Sequence, residues 1–214
     1  MPLVDRNTGA RYNVNCNAGN PATCAPAVAV FRGNAYIAFA DQNTHGLDVV
    51  QVSTIAGNAA WQYSLIHTET GVQLTSAPAM AVAPDGVHLL IRYGTSNISG
   101  QNNATFTTEF DGTNWSTYTS AGFAPTQSAM VVFNGSLFVI DKQNNSSNGV
   151  FVSRADNNGV FIPGTAFQVS GWFTPAGINA TVFNGNIVAV IQSTQSNHDL
   201  WVFSSPDGTN WSGR

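Results

Sequence analysis

Amide, carboxylate and imidazole side chains are concentrated in four polar segments of the chain, at 41–46, 94–103, 141–149 and 193–199. Aromatic residues stand near these segments, among them Tyr93 and Trp172. Amides and carboxylates satisfy hydroxyl groups by hydrogen bonding, and an aromatic ring covers the C–H face of a pyranose. These residue types predict a sugar-binding site made by Asp41, Gln42, Asn43, His45, Tyr93, Asn97, Asp141, Gln143, Trp172, Gln195, His198 and Asp199.

Catalytic residues are harder to assemble from this sequence. Arg92 alone among the arginines lies beside a polar segment of this kind, so no arginine cluster forms to hold a substrate carboxylate. The eleven acidic residues lie mostly in turns, where Asp has a conformational role. A Ser-His-Asp arrangement stays open, but the sequence has no GxSxG, P-loop, HExxH or EF-hand motif. We therefore expect no catalytic residue, no metal ligand and no cofactor, and we predict that the chain is not an enzyme.

The composition excludes several classes of partner. Charged residues make up 8% of the chain, the net charge is −4, and Lys142 is the single lysine, which argues against a nucleic-acid partner. No apolar run is long enough for a membrane span. The N-terminal residues lack a signal-peptide pattern. We nevertheless expect an extracellular protein, or one exported without a visible signal peptide. Cys16 and Cys24 could form a local disulfide or remain free thiols.

An internal repeat organises the whole chain. Four apolar segments begin near 25, 77, 124 and 174, and each carries a turn glycine. These glycines are Gly33, Gly86, Gly135 and Gly185, with spacings of 86 − 33 = 53, 135 − 86 = 49 and 185 − 135 = 50. Regular spacing of this kind predicts stacked copies of one structural unit, and we take residues 1–214 as a single domain.

Each unit reads as four short strands joined by tight turns, which is the composition of a propeller blade. The sequence predicts an all-β fold, a β-propeller of about four four-stranded blades, with a β-sandwich as the alternative. The last unit stops where its fourth strand should begin, and the segment after Tyr12 reads as a strand. We expect this N-terminal strand to close the last blade. A ring made of several chains, as a homo-oligomer, and a fragment of a larger ring both stay open.

Two turns carry a recognisable motif. SPDGTNWS at 205–212 and FDGTNWS at 110–116 resemble the Asp-box of sialidase-like propellers, a structural hairpin turn on the side away from the active site. The repeat also resembles the propeller lectins of fungi and bacteria, including the Psathyrella velutina type, which bind sugars between blades. This resemblance implies a lectin-like protein that binds glycans at repeated sites. The alternatives are a protein-interaction or assembly module and, third, a sialidase-like glycoside hydrolase.

Overall fold

The computed structural model describes residues 3–4, 11–12, 25–54, 61–96, 104–120, 125–143, 150–155, 161–167, 175–193 and 199–213. These residues form strands and turns, and they contain no long apolar helix of the kind that crosses a membrane. The strands are β1 (Leu3–Val4), β2 (Arg11–Tyr12), β3 (Ala27–Phe31), β4 (Asn34–Ala40), β5 (Leu47–Thr54), β6 (Trp61–Glu69), β7 (Gln73–Leu74), β8 (Ala79–Val82), β9 (Leu89–Ser96), β10 (Ala104–Phe110), β11 (Trp115–Ser120), β12 (Pro125–Phe133), β13 (Ser136–Gln143), β14 (Val150–Ala155), β15 (Phe161–Phe167), β16 (Pro175–Phe183), β17 (Asn186–Ser193), β18 (Leu200–Ser205) and β19 (Ser212–Gly213).

Four antiparallel sheets correspond to the four sequence repeats. Sheet 1 has the order β3-β4-β5-β6, sheet 3 the order β12-β13-β14-β15 and sheet 4 the order β16-β17-β18-β19. Sheet 2 runs β7-β9-β10-β11, with β8 also paired to β9. The predicted all-β fold of four blades is therefore confirmed. Each sheet follows the chain order from an inner strand outward, as in a propeller blade.

The sign of the backbone φ angle explains why the inner hairpins form at the repeated glycines. Arg32, Asn134 and Asn184 have φ near +48°, and the glycine after each also has positive φ. Two consecutive residues with positive φ make the type I′ turn, whose twist matches that of the flanking strands. Glycine reaches this region without steric cost. The R-G and N-G pairs therefore fix the register of the first hairpin in sheets 1, 3 and 4.

The core lies between neighbouring sheets. The inner strands pack in succession, β3 on β8, β8 on β12 and β12 on β16. Three buried clusters fill the interfaces: one around Leu89 and Ile91 for sheets 1 and 2, one around Leu137 and Val139 for sheets 2 and 3, and one around Ile140 for sheets 3 and 4. Side chains alternate along each strand, so the inner strands β8 and β12 each contribute to two interfaces.

The two end sheets differ from the inner ones. Among the described residues, β16 has no comparable packing against β3. Large exposed apolar side chains are concentrated on these sheets, namely Val28, Val30 and Leu65 in sheet 1 and Val182, Phe183, Leu200 and Val202 in sheet 4. In the N-terminal segment Leu3–Val4 pairs with Arg11–Tyr12, and sheet 4 ends with the chain's own Ser212–Gly213. The closing strand expected after Tyr12, together with Cys16 and Cys24, lies outside the described residues.

Candidate functional site

The loop face is the end of the sheets where the second strand of each sheet stops, at 40–46, 94–96, 141–143 and 192–193. The opposite end carries the tight inner hairpins and the two DGTNW turns. Binding residues tend to collect on longer loops held by a rigid scaffold. The loop face is therefore where the predicted site residues have to be placed.

Asp41 organises the first loop of this face. Its Oδ1 accepts hydrogen bonds from Asn43 N at 2.8 Å, from Thr44 N at 2.8 Å and from Thr44 Oγ1 at 3.1 Å. Its own N donates to Gly46 O at 2.9 Å, while His45 N donates to Asp41 O at 3.0 Å. These bonds continue the ladder of β4 and β5 by one step beyond Ala40. The carboxylate of Asp41 is thus held in a fixed position at the rim of sheet 1.

A second carboxyl group, Asp48, lies on the same face of this hairpin. Because Asp41 N bonds to Gly46 O, Asp48 occupies the diagonal position relative to Asp41. Asp48 is 7% exposed, and Thr68 Oγ1 donates to its Oδ1 at 2.9 Å. Burial raises the pKa of Asp48, the bond from Thr68 opposes this rise, and the nearby charge of Asp41 adds to it. The sequence analysis did not single out Asp48, because a lone Asp inside an apolar strand carries no motif.

Asp141 is engaged in an ion pair between sheets. Arg92 Nη2 donates to Asp141 Oδ2 at 2.7 Å, Arg92 Nε lies 3.4 Å from Oδ1, and Ser128 Oγ donates to Oδ1 at 2.6 Å. The Arg92 and Asp141 side chains are 7% and 3% exposed. Asp141, which the sequence predicts to bind sugar, therefore lies inside the interface of sheets 2 and 3. Asp141 therefore joins two blades and does not present its carboxylate to solvent.

Tyr93 is also inside the molecule rather than on the loop face. It is fully buried, and its Oη lies 2.9 Å from Thr108 Oγ1. The chain of polar contacts continues from Thr108 to Thr117 at 3.0 Å, and Thr117 Oγ1 donates to Glu69 Oε2 at 3.0 Å. Burial raises the pKa of Tyr93, and the bond from His67 is the main cause that lowers the pKa of Glu69. This network connects sheets 1 and 2, so the Tyr93 ring cannot stack on a sugar.

A third polar group lies at the interface of sheets 3 and 4. Gln127 Oε1 accepts a hydrogen bond from Ile178 N at 3.0 Å. A β-carbon built at Gly177 would lie 3.8 Å from Gln127 Oε1 and 3.8 Å from Gln192 Oε1, so both amides border this glycine. Lys142 lies opposite Gln127 in the β12–β13 ladder and is 7% exposed. Sequence reasoning overlooked this group, since its members come from three separate strands.

The remaining predicted residues are distributed as follows. Gln42, Asn43 and Asp199 are exposed, and His45 is half-buried with a positive φ of 60°. Gln143 ends β13, and its side chain is outside the description. The four other predicted residues lie outside the described residues altogether: Asn97, Trp172, Gln195 and His198. Within the described part of the chain no group of His, Cys, Asp and Glu is arranged to hold a metal ion.

The two DGTNW turns have the structural role that their motif predicts. Asp207 Oδ1 accepts from Thr209 N at 2.8 Å and from Asn210 N at 2.7 Å, and Trp211 Nε1 donates to Gly208 O at 3.1 Å. In the other turn, Asp111 Oδ1 accepts from the two equivalent backbone N–H groups at 2.7 Å each. These bonds hold the pKa of Asp111 at about 2. The motif therefore stabilises turns on the side away from the loop face.

Solved structures share this fold. A GH43 β-1,3-galactosidase with galactodeoxynojirimycin has a TM-score of 0.71 at 9% identity, over 100% of this chain and 79% of that chain. The Phanerochaete chrysosporium exo-β-1,3-galactanase with β-1,3-galactotriose gives 0.69 at 9% identity, over 100% of this chain and 52% of the other. The Trypanosoma rangeli sialidase with the inhibitor DANA gives 0.64 at 14% identity, over 99% and 40%.

These comparisons establish a sialidase-like β-propeller fold. The chain spans about half the length of the galactanase that it matches. No family model and no curated protein matches it in sequence. The prediction that the chain is not an enzyme is contradicted, because these structural neighbours are glycoside hydrolases. That prediction rested on the absence of an arginine cluster and of catalytic motifs, and on the position of most acidic residues in turns.

Proposed function

We propose that this chain binds a glycan at its loop face and hydrolyses a glycosidic bond there, with Asp41 and Asp48 as the acting carboxyl groups. The observation that carries the proposal is the environment of Asp48, a buried carboxyl group beside a second, firmly held carboxylate. Support for the class of reaction comes from the fold, which occurs in a galactosidase, a galactanase and a sialidase.

Glycoside hydrolysis requires two carboxyl groups with different roles. One protonates the leaving oxygen and the other acts as a base or nucleophile, with the two groups about 5 to 9.5 Å apart. Diagonal neighbours on one face of an antiparallel pair have Cα atoms about 7–8 Å apart. Asp41 and Asp48 occupy such positions in the β4–β5 hairpin. Their spacing is therefore compatible with this chemistry.

The surroundings of the two groups separate their roles. Burial and the charge of Asp41 raise the pKa of Asp48 and favour its protonated form. Asp41 accepts three hydrogen bonds at Oδ1, which orient its carboxylate. When the environments of two carboxyl groups differ in this way, the group with the raised pKa is assigned as the acid and the other as the base. We assign Asp48 as the proton donor to the leaving oxygen and Asp41 as the second carboxyl group, which acts as base for the attacking water or as nucleophile.

The described loop face also favours one asymmetric site over several equal ones. The interface of sheets 1 and 2 holds the Tyr93 network, that of sheets 2 and 3 holds the Arg92–Asp141 pair, and that of sheets 3 and 4 holds Lys142. A lectin with repeated sites would be expected to repeat its polar groups from blade to blade. Glycan binding is retained in this proposal, but as part of a single catalytic site.

The test is a hydrolysis screen of the purified chain. Aryl glycosides and oligosaccharides of galactose, xylose, arabinose and sialic acid are incubated with the protein, and released sugar is measured. Asp48→Asn should lower the rate by about 10²- to 10⁴-fold, as for loss of a general acid, and Asp41→Asn should also abolish turnover. Asp85→Asn, in the turn between β8 and β9, is the matched control and should leave the rate unchanged.

The pH profile gives a second readout. Asp48 must be protonated to act, so kcat should fall as the pH rises through its raised pKa. Release of no sugar from any substrate would refute hydrolysis by this chain. A wild-type rate retained by Asp48→Asn, with hydrolysis intact, would refute the assignment of the proton donor.

A further inference from the structure

Lys142 is the single lysine of the chain and lies almost wholly inside the protein. It follows Phe138 and Ile140 on alternate positions of β13, and both belong to the cluster that packs against sheet 4. Side chains two residues apart share one face of a strand, so Lys142 projects toward sheet 4 at the loop face. Among the described residues no carboxylate forms an ion pair with Lys142.

The preceding residue, Asp141, differs from Lys142 in having an opposite charge beside it. Asp141 lies on the other face of β13 and is neutralised by Arg92 from sheet 2. Two successive charged residues thus enter two blade interfaces, and within the described structure only one of them has an opposite charge. A buried charge without a partner is destabilising, and burial alone lowers the pKa of Lys142. An ammonium without an opposite charge among the described residues is suited to an anion that arrives with a ligand.

The groups around Lys142 are suited to a sugar. Gln127 lies directly opposite Lys142 in the β12–β13 ladder. The side-chain oxygens of Gln127 and Gln192 border Gly177. A β-carbon built on this glycine would be in van der Waals contact with both oxygens. Amides donate to and accept from sugar hydroxyls, and an ammonium donates to carboxylate oxygens. Lys142 and the two amides therefore lie at the same end of the interface of sheets 3 and 4.

We propose that Lys142, with Gln127 and Gln192, forms a subsite for the carboxylate of an acidic sugar residue, so that the glycan bound at the loop face carries a uronic acid. The inference rests on the proposed glycan-binding function and adds the charge of the ligand to it. The Lys142 ammonium donates to the carboxylate, and the two amides hold neighbouring hydroxyl groups. Nothing in the assignment depends on which carboxyl group performs the chemistry.

A matched pair of oligosaccharides tests the charge preference. Binding of a glucuronic acid-terminated oligosaccharide and of its glucose-terminated counterpart is measured by calorimetry, with acetate as a free carboxylate. The wild-type chain should bind the acidic sugar about ten- to a hundredfold tighter than the neutral one, the range for a hydrogen bond between charged groups. Lys142→Met should lose this preference and retain the neutral sugar, whereas Lys142→Arg should keep it. Arg154→Gln, an exposed cation in the same sheet, is the control and should change nothing.

Labelling the single lysine gives a readout that does not depend on turnover. With ¹³Cε-lysine the chain shows one lysine side-chain signal, which should shift with the acidic sugar and stay in place with the neutral one. Equal affinity of both sugars, or a preference that survives Lys142→Met, would overturn the subsite while leaving hydrolysis of neutral glycans intact. Failure to bind any glycan would overturn the proposed function itself. A lysine signal that acetate shifts as strongly as the acidic sugar would show that the site takes free carboxylates, which would also overturn the sugar assignment.

Discussion

Removal of one partner of the Arg92–Asp141 pair should weaken the packing of sheets 2 and 3. The two side chains are 7% and 3% exposed, and Asp141 receives bonds from Arg92 at 2.7 Å and from Ser128 at 2.6 Å. Asp141→Ala removes the buried carboxylate to which the Arg92 guanidinium donates at 2.7 Å. Breaking a buried pair in this way costs about 3–5 kcal/mol, and we expect a loss of that size in the free energy of unfolding. Ser128→Ala removes one charge-assisted bond and should cost about 1.5–3 kcal/mol.

The measurement is urea unfolding followed by tryptophan fluorescence and circular dichroism, with linear extrapolation at constant m. Glu109→Gln is the matched control, because Glu109 lies 3.3 Å from His88 and both side chains are about a third exposed. Such pairs contribute under about 1 kcal/mol. The double variant Arg92→Met with Asp141→Leu should recover most of the loss, since apolar residues of similar volume replace a buried pair without penalty.

Two results would contradict this reasoning. If Asp141→Ala cost no more than Glu109→Gln, the pair would behave as a solvent-exposed one. If the double variant lost as much as Arg92→Met and Asp141→Leu lose together when measured singly, Arg92 and Asp141 would not be coupled. Either result would mean that the interface of sheets 2 and 3 is more hydrated in solution than the exposed fractions of these side chains indicate.

Three further predictions follow from single positions. Gly208→Ala should destabilise the chain more than Gly185→Ala in urea unfolding, because both glycines have positive φ but a β-carbon at Gly208 would also overlap a phenylalanine ring of sheet 3. Asp111→Asn should lower stability at neutral pH; because the folded pKa of Asp111 is about 2, below its unfolded value, the difference from wild type should disappear as the pH falls from about 4 to 2. Val30→Thr, at an exposed position of sheet 1, should change the free energy of unfolding by less than about 0.5 kcal/mol and reduce self-association in light scattering. Val49→Ala, in the core of the same sheet, should lower the free energy of unfolding by about 2 kcal/mol.

The sequence predicts the inner hairpins and the repeat because both depend on local chemistry. A glycine with positive φ after Asn or Arg marks the same turn in three sheets. The DGTNW turns are equally local, since Asp111 and Asp207 bond to the backbone within three residues. The packing of the end sheets is not predictable in this way. It depends on which surfaces meet after the blades have formed, and no short pattern in the sequence records that.

The candidate site was predictable only in part. The loop at Asp41 is rich in polar residues, as expected for a loop that follows a strand, and its role in binding stays a prediction. Tyr93 was misplaced because it adjoins a polar segment, although Leu89, Ile91 and Tyr93 alternate as one buried row. That period of two residues was the available signal. The partner of Asp141 comes from another repeat, 49 residues away, and such a pairing requires the geometry of two blades.

Asp141 and Lys142 show how blades of similar fold can acquire different interfaces. Both are charged, adjacent and buried, yet β13 directs them into different interfaces because side chains alternate along a strand. On one side Arg92 neutralises the charge and joins two blades. On the other side, in the described structure, Lys142 has no opposite charge and lies in register with Gln127, whose amide borders Gly177 together with that of Gln192. The shared hairpins thus preserve the scaffold, while substitutions at the loop-face ends of the strands differentiate the interfaces. Such differences are what a propeller built from similar blades requires in order to hold one asymmetric ligand.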